Sequence, residues 1–191
     1  MPSISTFLIR LGTSLIPAKS VRKRVRRRLL DRERDAWLAK TVPAVRSRYE
    51  EHVRRCREKL ARGERLRVCF LVCDVAMFSA ESVYRALRDD PRFKPFIAVA
   101  PRISRGEEFL RETLEKTMSE LRTRYEDPVV QLYDPKTGDW KGLEDKTDIV
   151  FTSIVYDNQT DARFTAGPMS RYALVACVSY GYSGQLANDA R

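Results

Sequence analysis

The sequence predicts an α/β domain built on a parallel sheet of about five strands and carried behind a basic helical arm. Two features point to this. From Leu66 onward, short continuous apolar runs alternate with longer amphipathic segments, the rhythm of a parallel sheet covered on both faces. Charge then divides the chain. Residues 1–67 hold 20 Lys/Arg against 7 Asp/Glu, whereas residues 68–191 hold 16 against 19. The net charge of +10 therefore belongs to the arm, and such a block suits an anionic partner. An apolar fraction of 43 % is enough for one core in 191 residues.

The arm, residues 1–65, reads as two helical stretches. Over residues 1–35, Ile4, Phe7, Leu8, Leu11, Leu15 and Ile16 recur at helical spacing beside the cluster VRKRVRRRLLDRER. Residues 36–65 form the second, interrupted by Pro43, with Val45, Tyr49, Val53 and Leu60 as its apolar positions and a stop near Gly63. The domain, residues 66–191, opens with LRVCFLVC (66–73) as a strand buried on both faces. A helix over 79–90 follows, with Ser79 as its N-cap and Pro91 as its stop. FIAVA (96–100) is the second strand, 103–125 the longest helix, and VVQLY (129–133) the third strand, followed by the turn DPKTGDW. DIVFTSIV (148–155) and YALVACVSY (172–180) complete a Rossmann-like layer.

Several function classes are excluded. A single histidine, His52, leaves a zinc site almost without ligands, and His52 reads as a solvated residue of the arginine-rich helix. The first turn, CDVAMFSAES, contains no glycine, so neither the dinucleotide fingerprint nor the phosphate loop is matched. The apolar run FLIRLGTSLIP is shorter than the roughly 20 residues a membrane helix needs, and its charges follow rather than precede it. Cys56, Cys69, Cys73 and Cys177 form no CxxC pair and read as buried, reduced thiols. Trp37 and Trp140 read as packing anchors.

In open α/β sheets, ligands bind beyond the carboxyl ends of the strands. The polar residues after strands one, four and five are thus the candidates: Asp74, Ser79 and Glu81, then Tyr156, Asp157 and Asn158, then Tyr180 to Gly184. Asp74 and Asp157 suit a base or a hydroxyl-orienting group, or equally the caps of the following helices. The glycines of YGYSG allow close backbone approach to a ligand, or a simple loop. Arg22, Lys23, Arg24, Arg26, Arg27 and Arg28 beside an apolar stripe suit an anionic membrane leaflet, each basic residue contributing about 1 kcal/mol, or else form a solvated face. Nucleic acid is not expected, because no aromatics interleave with the arginines.

One series of segments goes beyond composition: SVYRALRDDPRFKPFIAVAPRISRGEE (82–108), QLYDPKTGDW (131–140), DIVFTSIVYD (148–157) and VSYGYSG (178–184). It resembles the N-terminal half of bacterial proteins of the CDP-glycerol glycerophosphotransferase family, the teichoic-acid and capsule polymerase-like group, over roughly Leu66 to Asp189. The DPRF-x-P element and the YDP-x-TGDW turn are its most specific parts. The resemblance implies one lobe of a two-lobed GT-B transferase, the acceptor side, with the CDP-activated donor held by a C-terminal lobe. Many members carry a His-Gly pair as the base; the matching place here is Tyr180-Gly181. A phenol with an ordinary pKa of about 10 is a weak base at neutral pH.

The expectations that follow from the resemblance are an acceptor cleft lined by Asp74, Ser79, Tyr156 and Asp157, and a reacting edge at Tyr180 and Gly181. No metal and no cofactor is implied. The chain is expected to be a truncated lobe, inactive without its donor half, lying in the cytoplasm on the inner face of the cell membrane. The alternative is a non-catalytic module that binds membrane or envelope polymer.

Overall fold

The computed structural model describes residue 8 and residues 11–14, 19–154 and 158–178. Contacts divide the chain into two compact units, Met1–Ser47 and Arg48–Arg191. One long helix, α1 (Lys19–Ala61), contributes to both.

In the first unit, residues 11–14 are helical, and Arg26 Nε donates to the Thr13 hydroxyl at 3.1 Å, with Thr13 itself buried. Leu8 and Leu11 of the apolar stripe are exposed; Ile4, Phe7, Leu15 and Ile16 lie outside the described residues. Pro43 does not interrupt the arm. It sits inside α1, exposed, where its ring removes one helical hydrogen bond at a cost of about 3 kcal/mol relative to Ala. The Arg-, Lys-, Glu- and Ala-rich turns around it favour continued helix. Trp37 is no anchor: it is 61 % exposed.

In the second unit, the last turns of α1 bury His52 and Cys56 while Tyr49 is exposed, so the packed face is rotated from the expected one. His52 is therefore not a solvated residue. Its Nε2 donates to the Ser170 carbonyl at 3.1 Å. Helix α1 stops as its sequence requires. Gly63 adopts φ +74°, the Gly63 N–H reaches the Leu60 carbonyl, and the Glu64 N–H reaches the Lys59 carbonyl, each at 3.0 Å. Just before its end, Lys59 Nζ meets the buried Asp148 carboxylate at 2.5 Å, and the Arg67 backbone N–H donates to the other oxygen at 2.9 Å.

Five parallel strands follow: β1 (Leu66–Val72), β2 (Phe93–Val99), β3 (Val129–Gln131), β4 (Ile149–Thr152) and β5 (Leu174–Cys177). Their spatial order is β3-β2-β1-β4-β5, all parallel, as in a Rossmann-like layer. Helices α2 (Glu81–Arg88) and α3 (Glu107–Arg124) follow β1 and β2. Alternate residues of β1 feed two cores. Val68, Phe70 and Val72 face the first, with Ile97, Val99, Tyr84 and the buried stripe Leu110, Leu114, Met118 and Leu121. Its centre is aromatic: Phe70 stacks on Phe151 at 5.1 Å and meets Tyr84 edge-on at 5.3 Å. Cys69 and Leu71 face the second, with Ala98, Leu132, Leu143, Phe164 and Met169. Trp140 is an anchor, packed between Tyr133 at 4.8 Å and Phe164 at 5.7 Å.

Strand β2 begins at Phe93, three residues earlier than the apolar run suggests, and so contains Pro95. The Ile97 N–H reaches the Pro128 carbonyl, so the Pro95 nitrogen, two residues earlier, faces the same flank. There β3 has not yet begun, since its pairing starts at Ile97 with Val129. A missing donor is harmless at that position. Ser79 does not cap α2: the helix starts after Ala80 with no side-chain cap, and the Ser79 hydroxyl donates to the Val178 carbonyl at 3.0 Å instead. Cys56, Cys69 and Cys73 are buried as expected, but Cys177, on the sheet edge, is exposed.

Candidate functional site

Because all five strands are parallel, their carboxyl ends share one rim. Chain direction across the sheet reverses between β1 and β4, which opens a crevice at that point. Phe70, Leu71, Phe78, Ser79, Ala80, Phe151, Thr152 and Ser153 surround only a small cavity there, of about 10 Å³.

Backbone and side-chain bonds draw the strand tails together. The Ala100 N–H reaches the Val72 carbonyl at 3.0 Å, extending β2 beside β1, and the Val178 N–H reaches the Thr152 carbonyl at 2.8 Å, extending β5 beside β4. The Ser79 bond to Val178 then ties the loop after β1 to the tail of β5. On the other side, the Ile103 N–H donates to the Gln159 carbonyl at 3.0 Å, so the loops after β2 and β4 meet although β1 lies between those strands.

Asp74 directly follows this end of β1. Its Oδ1 accepts from the Ala76 N–H at 3.0 Å and caps the short turn Val75–Met77. The capping role is therefore real, and it occupies one carboxylate oxygen. Cys73 beside it is inert: burial first, then the Asp74 charge, push its thiol up to about 11, while the Arg102 charge pulls the other way. Arg102 is thus electrostatically coupled to the end of β1. Its Nε is buried without a hydrogen-bond partner among the described residues, and so is the hydroxyl of Thr160, a residue 1 % exposed. Each orphaned buried polar atom costs about 1–3 kcal/mol unless something satisfies it. Thr152, Ser153 and Gln159 are also buried here, with Thr152 Oγ1 accepting from the Ile154 N–H at 3.1 Å.

Asp74 and Ser79 of the expected cleft come to this rim. Tyr156, Asp157, Tyr180 and Gly181 lie outside the described residues. Sequence reasoning missed Arg102, Ser153, Gln159 and Thr160. Arg102 follows the second strand, so the rule that ligands bind beyond strand ends applies to it as well. Gln159 and Thr160 carry no local signal; only the bond to Ile103 brings them in. In the arm, Lys23, Arg24, Arg27 and Arg28 are exposed, whereas Arg22 and Arg26 are half-buried.

Among the described residues no cluster of His, Cys, Asp and Glu could hold a metal ion, and no helix is long and apolar enough to cross a membrane. No family model, curated protein or solved structure matches this chain.

Proposed function

We propose that this chain is the acceptor-side lobe of a glycerophosphate or glycosyl transferase acting on an anionic cell-envelope polymer of the teichoic-acid or capsule type. In the reaction envisaged, an acceptor hydroxyl attacks the β-phosphorus of CDP-glycerol. A new O–P bond forms, the anhydride P–O bond breaks, CMP leaves, and the hydroxyl proton passes to a base. The donor is assigned to a second lobe. Asp74, with one carboxylate oxygen committed to its cap, uses the other to orient the hydroxyl, and the half-buried Arg102 takes the polymer phosphate.

The observation that carries this reading is the half-buried Arg102, with an unsatisfied Nε, in a loop tied to the loop after β4 at the carboxyl rim. A guanidinium is the donor a phosphodiester needs. The test is calorimetric titration of the full chain with glycerol-phosphate oligomers. Saturable binding that weakens about tenfold in Arg102→Ala supports the reading, since a hydrogen bond to a charged group contributes about 1.5–3 kcal/mol. Equal affinity in the two proteins refutes it.

A second reading, a non-catalytic module held on the inner membrane leaflet or on polymer by its arm, draws on the exposed cations Lys23, Arg24, Arg27 and Arg28. Reversing these four to Glu should abolish co-sedimentation with anionic vesicles and leave neutral vesicles unaffected. Unchanged co-sedimentation removes the arm from the account.

A further inference from the structure

The opposite, amino-end rim of the sheet carries a second cleft, of about 470 Å³, lined by Arg65, Arg67, Arg88, Lys94, Lys146, Asp127 and the apolar residues Pro95, Phe96, Pro128 and Val130. Its origin is local. Arg67 and Lys94 are register partners on β1 and β2, on the sheet face that carries Cys69 and Leu71. Two residues on, the same face presents Phe96, and on β3 Val130; both are only half-buried. Among the described residues, the side chains packed on this face include Leu132, Trp140, Leu143, Phe164, Met169 and Tyr172, none of them from a long helix. At Pro95, which is itself buried, the flank of β2 is unpaired, because β3 starts only at Val129. An apolar floor is thus left at one corner of the sheet.

The rim of that floor is cationic, in a domain whose charge is otherwise slightly acidic. Two guanidiniums are fixed by carbonyl groups, and Arg67 is also in an ion pair with Asp148 at 3.6 Å. Arg65 donates to the Phe93 carbonyl through Nε at 3.1 Å and Nη2 at 2.5 Å, and Arg67 Nη1 donates to the Asp145 carbonyl at 2.5 Å. The nearest carboxylate to Arg67, Asp148, is shared with Lys59. Among the described residues Lys94 and Lys146 form no ion pair, and Arg88 pairs with Asp89 at 3.7 Å. The one acid of the lining, Asp127, accepts the Tyr84 hydroxyl.

From this arrangement we infer that the amino-end cleft binds a small diphosphate ester with a flat, apolar organic group. The diphosphate lies on Lys94, Lys146 and the fixed guanidiniums, and the organic group lies on Phe96 and Val130. Fixed guanidiniums match phosphate oxygens without further ordering cost. The volume suits a nucleotide-sized molecule, within the ordinary range for such pockets. The cleft is separate from the carboxyl rim, and the inference does not rest on the transferase reading.

Isothermal titration of the full chain tests it, with adenosine diphosphate, pyrophosphate and adenosine as probes. The expected result is saturable binding of the diphosphate ester, weaker binding of pyrophosphate because the floor is left empty, and none of adenosine. Lys94→Ala/Lys146→Ala should weaken the ester at least tenfold, Lys94→Arg/Lys146→Arg should restore it, and Arg102→Ala should leave it unchanged. Both lysines are exposed and unpaired, so circular dichroism of the alanine variant should match the native protein. Affinity for the ester within twofold of native in the alanine variant overturns the inference. So does an equal loss in Arg102→Ala, or binding to anionic phospholipid vesicles alone.

Discussion

Asp148 shows how one buried carboxylate ties distant parts of the second unit together. It receives Lys59 from α1 and the Arg67 N–H from β1. Burial raises its pKa, but these hydrogen bonds and charges outweigh burial and hold it below the ordinary 3.8. A depressed carboxylate contributes stability that is complete above its unfolded value and is lost as pH falls through the folded one. The native urea midpoint should therefore drop between pH 5 and pH 2, and drop less in Asp148→Asn. At pH 7 that substitution should cost about 3 kcal/mol, because it leaves Lys59 half-buried without its partner. A variant as stable as native at pH 7 would remove Asp148 from the account. The cysteines give a second check. Cys69 and Cys73 are buried with raised pKa values, Cys56 is raised by burial too, and Cys177 is exposed. An aromatic disulfide reagent should modify one thiol rapidly in the native protein and none rapidly in Cys177→Ser. The burial of Cys56, Cys69 and Cys73 was legible in sequence, whereas the exposure of Cys177 and the contacts of Asp148 were not. His52 reads as a solvated residue, and Asp148 only as the first residue of a strand, until their partners arrive from 118 and 81 positions away.

Helices and strands were more legible, because they answer to local pattern. All five strands lie where apolar runs stand, and α3 buries Leu110, Leu114, Met118 and Leu121 at the expected spacing. The misreadings have physical causes. Pro43 predicts a break, yet one lost bond does not end a 43-residue helix. Pro95 concealed the start of β2, although its nitrogen faces an unpaired flank. Ser79 was read as a cap because local rules cannot see Val178. Two substitutions test these points. Pro43→Ala should raise helical ellipticity and stabilise α1 by up to about 3 kcal/mol. Gly63→Ala should cost about 1 kcal/mol through backbone conformation alone, since φ is +74° and the added methyl meets nothing within 4 Å. A neutral Gly63→Ala would mean that the helix stop is set elsewhere.

For the whole molecule, the decisive property is that parallel strands in the order β3-β2-β1-β4-β5 leave a crevice at one rim. The alternation of runs announced the sheet, and with it the idea that strand tails converge. It did not announce which loops would meet: the bond from Ile103 to Gln159 spans 56 residues and brings Arg102 and Thr160 into consideration. The proposal that this rim takes a polyanionic acceptor is tested most directly by amide chemical-shift mapping of the full chain during titration with glycerol-phosphate oligomers. The expected result is saturable shifts at Asp74, Arg102, Ser153, Gln159 and Thr160, lost in Arg102→Ala. Shifts confined to the arginine-rich helix, or none that saturate at the rim, would contradict it.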